Sequence, residues 1–88
     1  MIVEFDKSFE KSIDKLKDQT VLSKVEKVIL KLESANSISE IAGIKKLAGY
    51  KNYYRIRIGN YRLGLEKIGE KVSLIVIANR KDIYTIFP

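Results

Sequence analysis

The 88-residue chain contains no cysteine, no histidine and a single proline. Without cysteine there is no disulfide framework. Without either residue there is no Cys/His pair, no Ser/His/Asp set and no cluster with metal-ligand spacing, and no glycine-rich loop of the phosphate-cradling kind is present. Those enzyme classes are excluded, and neither metal nor cofactor is expected. No stretch is long or apolar enough to cross a bilayer, so no membrane partner is expected. The opening Met1-Ile2-Val3-Glu4-Phe5-Asp6 lacks a basic leader followed by an apolar run, which makes the cytoplasm the expected location. An apolar fraction of 45% with so little proline argues for an ordered globular fold, a single domain over residues 1–88 built on one small core.

The net charge of +6 is unevenly placed. Residues 1–44 hold seven lysines and eight acidic residues, a net of −1, whereas residues 45–88 hold ten basic and three acidic residues, a net of +7. A one-sided basic half is the electrostatic footprint of a protein that meets nucleic acid, with a plain solubility surface as the alternative.

The most specific local signal is Gly59-Asn60, flanked by the alternating segments Tyr53-Tyr54-Arg55-Ile56-Arg57-Ile58 and Tyr61-Arg62-Leu63-Gly64-Leu65-Glu66. A two-residue β-hairpin turn there fixes the register: Ile58 faces Tyr61, Arg57 faces Arg62, Ile56 faces Leu63, Arg55 faces Gly64, and Tyr53 faces Glu66. One face of the hairpin is apolar and the other basic. Two directly opposed arginines destabilise a hairpin by up to about 1 kcal/mol, so an anion between them, and specifically a phosphate, is expected.

Around this hairpin, Ile2–Phe5 reads as a strand. Phe9, Ile13 and Leu16 mark a short amphipathic helix capped by Asp6 or Ser8. Val21, Leu22, Val25, Val28, Ile29 and Leu32 mark a second helix with Thr20 as its cap. Residues 38–50 read as an irregular connection with a helical turn after Ser39. The β-branched run Val72–Ala78 reads as a central strand covered on both faces. Residues 83–88 are too short for a further helix and are expected along or under the sheet. The expected architecture is α+β: an N-terminal strand, an antiparallel helical hairpin and a three-stranded antiparallel meander, making one mostly antiparallel four-stranded sheet with helices on one face. Tyr53, Arg55, Arg57, Arg62, Gly64 and Glu66 then share the open face.

The strand and helical hairpin followed by Lys46-Leu47-Ala48-Gly49-Tyr50, Tyr54-Arg55-Ile56-Arg57-Ile58-Gly59-Asn60-Tyr61-Arg62-Leu63 and Asn79-Arg80-Lys81-Asp82-Ile83-Tyr84 resemble the RelE/ParE superfamily of toxins over essentially the whole chain. The resemblance to RelE implies the toxin of a type II toxin–antitoxin system. Such a toxin is a ribosome-dependent, metal-independent endoribonuclease that cuts messenger RNA and is neutralised by an antitoxin encoded beside it. ParE-like members keep the fold but act on DNA gyrase. A catalytically weakened relative that only binds RNA or antitoxin is the third alternative.

Matched residue by residue, the resemblance casts Arg55 and Arg57 as the pair holding the scissile phosphate and Arg62 as the arginine stabilising charge during cleavage. Arg80, or else Lys81, becomes the basic residue after the last long strand, and Tyr84 the tyrosine that stacks on the substrate base. Lys45, Lys46, Lys51 and Lys81 are further RNA-binding candidates, with antitoxin carboxylates as the alternative for Lys45 and Lys46. Many relatives carry a histidine where this chain has Asn79. RNA cleavage without metal needs a proton taken from the 2′-hydroxyl, charge stabilised on the phosphorane and a proton given to the leaving oxygen. Arginine suits only the middle task, so Glu66, expected on the same face, is the candidate base. Tyr84, flanked by Ile83, Ile86 and Phe87, has core packing as its alternative role.

Overall fold

The computed structural model describes residues 1–88. In chain order the elements are β1 (Ile2–Phe5), α1 (Lys7–Lys15), α2 (Gln19–Ser34), a 3-10 turn (Ile38–Glu40), β2 (Ile44–Lys46), β3 (Tyr53–Ile58), β4 (Tyr61–Ile68), β5 (Lys71–Asn79) and α3 (Ile83–Ile86). One sheet holds all five strands in the order β1-β5-β4-β3-β2, with β1 parallel to β5 and every other pairing antiparallel.

The β3–β4 hairpin has the register implied by its turn, from Tyr53 opposite Glu66 to Ile58 opposite Tyr61. Gly59 supplies a φ of 59° at the first turn position, and Asn60, like every other non-glycine residue, avoids positive φ. This is the pattern of a II′ turn, whose twist matches that of the flanking strands.

The α+β class stands, but the sheet has five strands rather than four. Ile44–Lys46 lies in the stretch read as irregular and pairs with Tyr54–Ile56 of β3. Three residues are too few for a period of two to show in sequence. The 3-10 turn before it spans Ser39 rather than following that residue and is capped by Ser37: the Ser37 hydroxyl accepts from the Ser39 N–H at 3.3 Å, and the Glu40 carboxylate accepts from the Ser37 N–H at 3.0 Å. Two helix caps also differ from expectation. Asp18, not Thr20, caps α2 by accepting from the Thr20 and Val21 N–H groups at 2.9 and 3.2 Å. Asp6 occupies the cap position of α1 without a side-chain bond.

The main core lies between the two long helices and one face of the sheet. Phe9, Leu16, Val21, Val25 and Leu32 pack against Ile56, Ile58, Leu63, Leu65, Val72, Leu74 and Ile77. Each such side chain contributes about 1.5–3 kcal/mol by leaving water, and fully buried Leu63 and Leu65 anchor the hairpin's apolar face.

The opposite face is only half open. Ile83 and Phe87, one helical turn apart, fold under the sheet with Leu47 and Val76 as a second cluster. The segment expected to be too short for a helix thus forms the single turn α3, and helices lie on both faces of the sheet rather than on one. The Phe87 ring sits against Gly64 and meets Tyr53 edge to face at 5.4 Å. Gly64 is therefore needed to admit an intramolecular ring.

A register shift at Gly64/Leu65 makes Ile75 the extra residue of a bulge in β5. β1 ends at Phe5, opposite Leu74, so beyond it the outer edge of β5 has no strand neighbour. Helix α1 protects that edge with side chains: the Ser8 hydroxyl donates to the Ile75 carbonyl, and the Ser12 hydroxyl accepts from the Ile77 N–H at 3.0 Å.

Candidate nucleic-acid interface

Alternation along β2, β3 and β4 places Lys45, Arg55, Arg57 and Arg62 on the same sheet face, with Lys45 paired to Arg55 and Arg57 to Arg62. They line a recess of about 450 Å3 together with Gly43, Ile44 and Tyr84. Gly43, at a φ of 76°, brings its carbonyl to the Arg57 N–H at 3.1 Å and closes the outer wall. The only ion pair in the protein is Glu4 with Lys71, so the four cations of the recess have no carboxylate partner. A wall of uncompensated like charge concentrates the local field and draws in anions.

The opposed arginines are accommodated differently from the sequence expectation. Arg62 turns its guanidinium back onto the hairpin turn, where Nη1 donates to the Gly59 and Tyr61 carbonyls, both at 2.9 Å. The Arg62 guanidinium is thereby held by turn carbonyls rather than by an anion, so the pairing does not by itself demand a phosphate. What favours an anion is the absence of any carboxylate from the recess.

Tyr84 projects outward from α3 and is 68% exposed, which removes core packing as its role. Its ring lies under the Arg55 guanidinium, 4.6 Å from ring centroid to carbon, a cation–π contact worth about 0.5–1 kcal/mol at an exposed site. The contact holds a flat guanidinium and a flat ring at the mouth of the recess.

Not every candidate meets there. Glu66 lines a separate recess of about 330 Å3 with Asp6, Tyr53, Ser73 and Phe87. Phe87 occupies the face at Gly64, between Glu66 and the arginines, because the C-terminal segment folds where the face was expected to be bare. Arg80 and Lys81 are exposed in the turn after β5, the Arg80 N–H bonding the Asn60 carbonyl and the Lys81 N–H the Asn79 side chain, both within 3.0 Å. Lys46 is exposed on β2 opposite Tyr54, and Lys51 lies in the β2–β3 loop; neither lines the recess. The backbone of Gly43 and Ile44 was missed, and its sequence signal, a glycine followed by the apolar–basic pair Ile44-Lys45, is too short to stand out.

The sequence matches the model of the ParE toxin of type II toxin–antitoxin systems, parDE, over residues 3–84. It is 37% identical to Toxin RelE3 of Methanocaldococcus jannaschii across the full length of both chains. Among solved structures, the RelB–RelE antitoxin–toxin complex from Methanococcus jannaschii superposes with a TM-score of 0.84 at 35% identity, covering 97% of this chain and 99% of that one. The intact E. coli RelBE toxin–antitoxin complex gives a TM-score of 0.67 at 28% identity, covering 89% and 94%. With sequence likeness and architecture in agreement over nearly every residue, the chain belongs to the RelE/ParE superfamily of type II toxin–antitoxin toxins.

Proposed function

We propose that the protein is a ribosome-dependent messenger-RNA endonuclease of the RelE kind, held in check by a cognate antitoxin. The observation that carries this reading is the recess in which Arg55, Arg57, Arg62 and Lys45 converge with an exposed aromatic ring and no carboxylate. The solved relatives of M. jannaschii and E. coli are complexes of RelE with RelB, which supports an antitoxin of that class as the partner.

In this reading Arg55 and Arg57 grip the scissile phosphate, since planar guanidinium donors match phosphate oxygens. Arg62 leaves the turn carbonyls and donates to the oxygens on which charge develops, a contact stronger in the transition state than in the ground state. Tyr84 offers its ring to a base. Proton transfer falls to what remains in the recess, the Tyr84 hydroxyl and the Lys45 amine, or to water and the ribosome, because Glu66 lies beyond Phe87. The test is cleavage of messenger on purified ribosomes by the wild type and by Arg62→Ala, both shown to be folded. A folded Arg62→Ala protein that cuts at the wild-type rate overturns the reading.

The match to a family model described by ParE favours a second reading, gyrase poisoning. It predicts growth arrest with DNA damage and with messenger left intact, and measuring both in the same culture separates the two.

A further inference from the structure

A second groove, of about 730 Å3, follows the strandless edge of β5 between α1 and α3. One wall is a single face of α1, on which Ser8, Lys11, Ser12 and Lys15 recur three and four residues apart. Asp82 stands on the other wall, and Tyr61 and Asn79, paired across β4 and β5, also line the groove.

The groups left unspent in this groove decide what it suits. The Ile75 carbonyl and Ile77 N–H are taken by the serine hydroxyls, so an added peptide strand finds these two edge groups occupied. The Thr85 hydroxyl is bound to the Asp82 carbonyl, and the Asn79 side-chain oxygen to the Lys81 N–H. Lys11 and Lys15 carry ammonium groups with no ion-pair partner. Continuity supplies the second argument. Ala78 of the groove pairs across β5 and β4 with Arg62 of the recess, so the two approach one another at this end of the strands, and Arg80 and Lys81 lie in the turn that follows.

We infer that this groove holds the single-stranded nucleic acid that flanks the phosphate in the arginine recess. The phosphates cross Arg80 and Lys81 and then lie against Lys11 and Lys15, along a wall that includes the half-buried Tyr61. A cationic channel with an aromatic wall is how proteins track a single strand without reading its sequence. The inference rests on the nuclease reading in that the recess is taken to bind RNA, and it gives Arg80 and Lys81 a place that the recess does not.

The test is fluorescence anisotropy of the intact protein with uncleavable 2′-O-methylated oligonucleotides, a trinucleotide and a decanucleotide. The wild type is expected to bind the longer strand on the order of 10-fold more tightly. Lys11→Ala/Lys15→Ala removes most of that gain and lowers the slope of log affinity against log salt by about 1.4, two phosphate contacts at about 0.7 each on a single strand. Asp82→Asn enlarges the gain. A gain that persists undiminished in the lysine variant overturns the inference. So does a wild type that gains nothing from length, the outcome expected if the groove takes an acidic protein segment instead. Arg57→Ala/Arg62→Ala reports separately: trinucleotide affinity unchanged by it sinks the recess reading, whereas the length-dependent gain judges the groove.

Discussion

The Phe87 ring lies so close to Gly64 that a Cβ built on that glycine would fall 2.7 Å from the ring. That approach settles how much of the sheet's second face stays open and keeps Glu66 apart from the arginines. Replacing Gly64 by alanine must displace the ring, and overpacking of this kind costs about 1–3 kcal/mol. Urea denaturation of Gly64→Ala is expected to show that loss, and adding Phe87→Leu to recover part of it. A Gly64→Ala protein as stable as the parent would mean that the ring does not rest there.

Arg62→Ala is expected to lower ribosome-dependent cleavage by about 10²–10³-fold, the effect of removing one preorganised donor from a developing oxyanion. The same change deletes the bonds from Nη1 to Gly59 and Tyr61, so a stability loss of about 1 kcal/mol accompanies it. Measuring both quantities on one preparation distinguishes lost chemistry from lost fold.

Glu66→Gln is expected to change cleavage by less than about 10-fold, because a general base must come within hydrogen-bond reach of the proton it takes. A loss of about 10²-fold with ribosome binding intact would show that the C-terminal segment moves aside and returns Glu66 to the site.

Tyr84 is examined by two substitutions. If its ring stacks on a base, Tyr84→Phe retains most of the activity and Tyr84→Ala loses it; if its hydroxyl carries a proton, both lose it alike. Single-turnover cleavage on programmed ribosomes reads the difference.

Sulfate is expected to raise the melting temperature above that in chloride at matched ionic strength, since an anion held by Arg55, Arg57 and Arg62 binds only the folded hairpin. The increment should vanish in Arg57→Ala/Arg62→Ala. An equal increment in that variant would place the anion elsewhere.

The hairpin register, its two contrasting faces and the arginine constellation were legible in the sequence because a glycine turn and a strict period of two determine each other. What escaped was set by contacts between residues far apart in the chain. Strand β2 exists because Ile44–Lys46 finds a partner in β3, not because three residues announce a strand. Glu66 was placed correctly in register and on the correct face, yet the ring that divides it from the arginines comes from Phe87. The Arg62 guanidinium bonds carbonyls only one and three residues away, but whether a long side chain folds back or reaches outward is not written in alternation.

Strand β1 lies parallel to β5, with Ile2 beside Lys71 and Phe5 beside Leu74. A pairing between such distant parts of the chain forms only after the intervening loop has closed, and contacts of this kind slow folding. During synthesis, β1 must wait unpaired until β5 has emerged. The β3–β4 hairpin that carries the arginines is completed earlier, and is then still without β5 along the free edge of β4. Maturation of this toxin therefore has a built-in order: the arginine-bearing hairpin is made before its support on the β4 side.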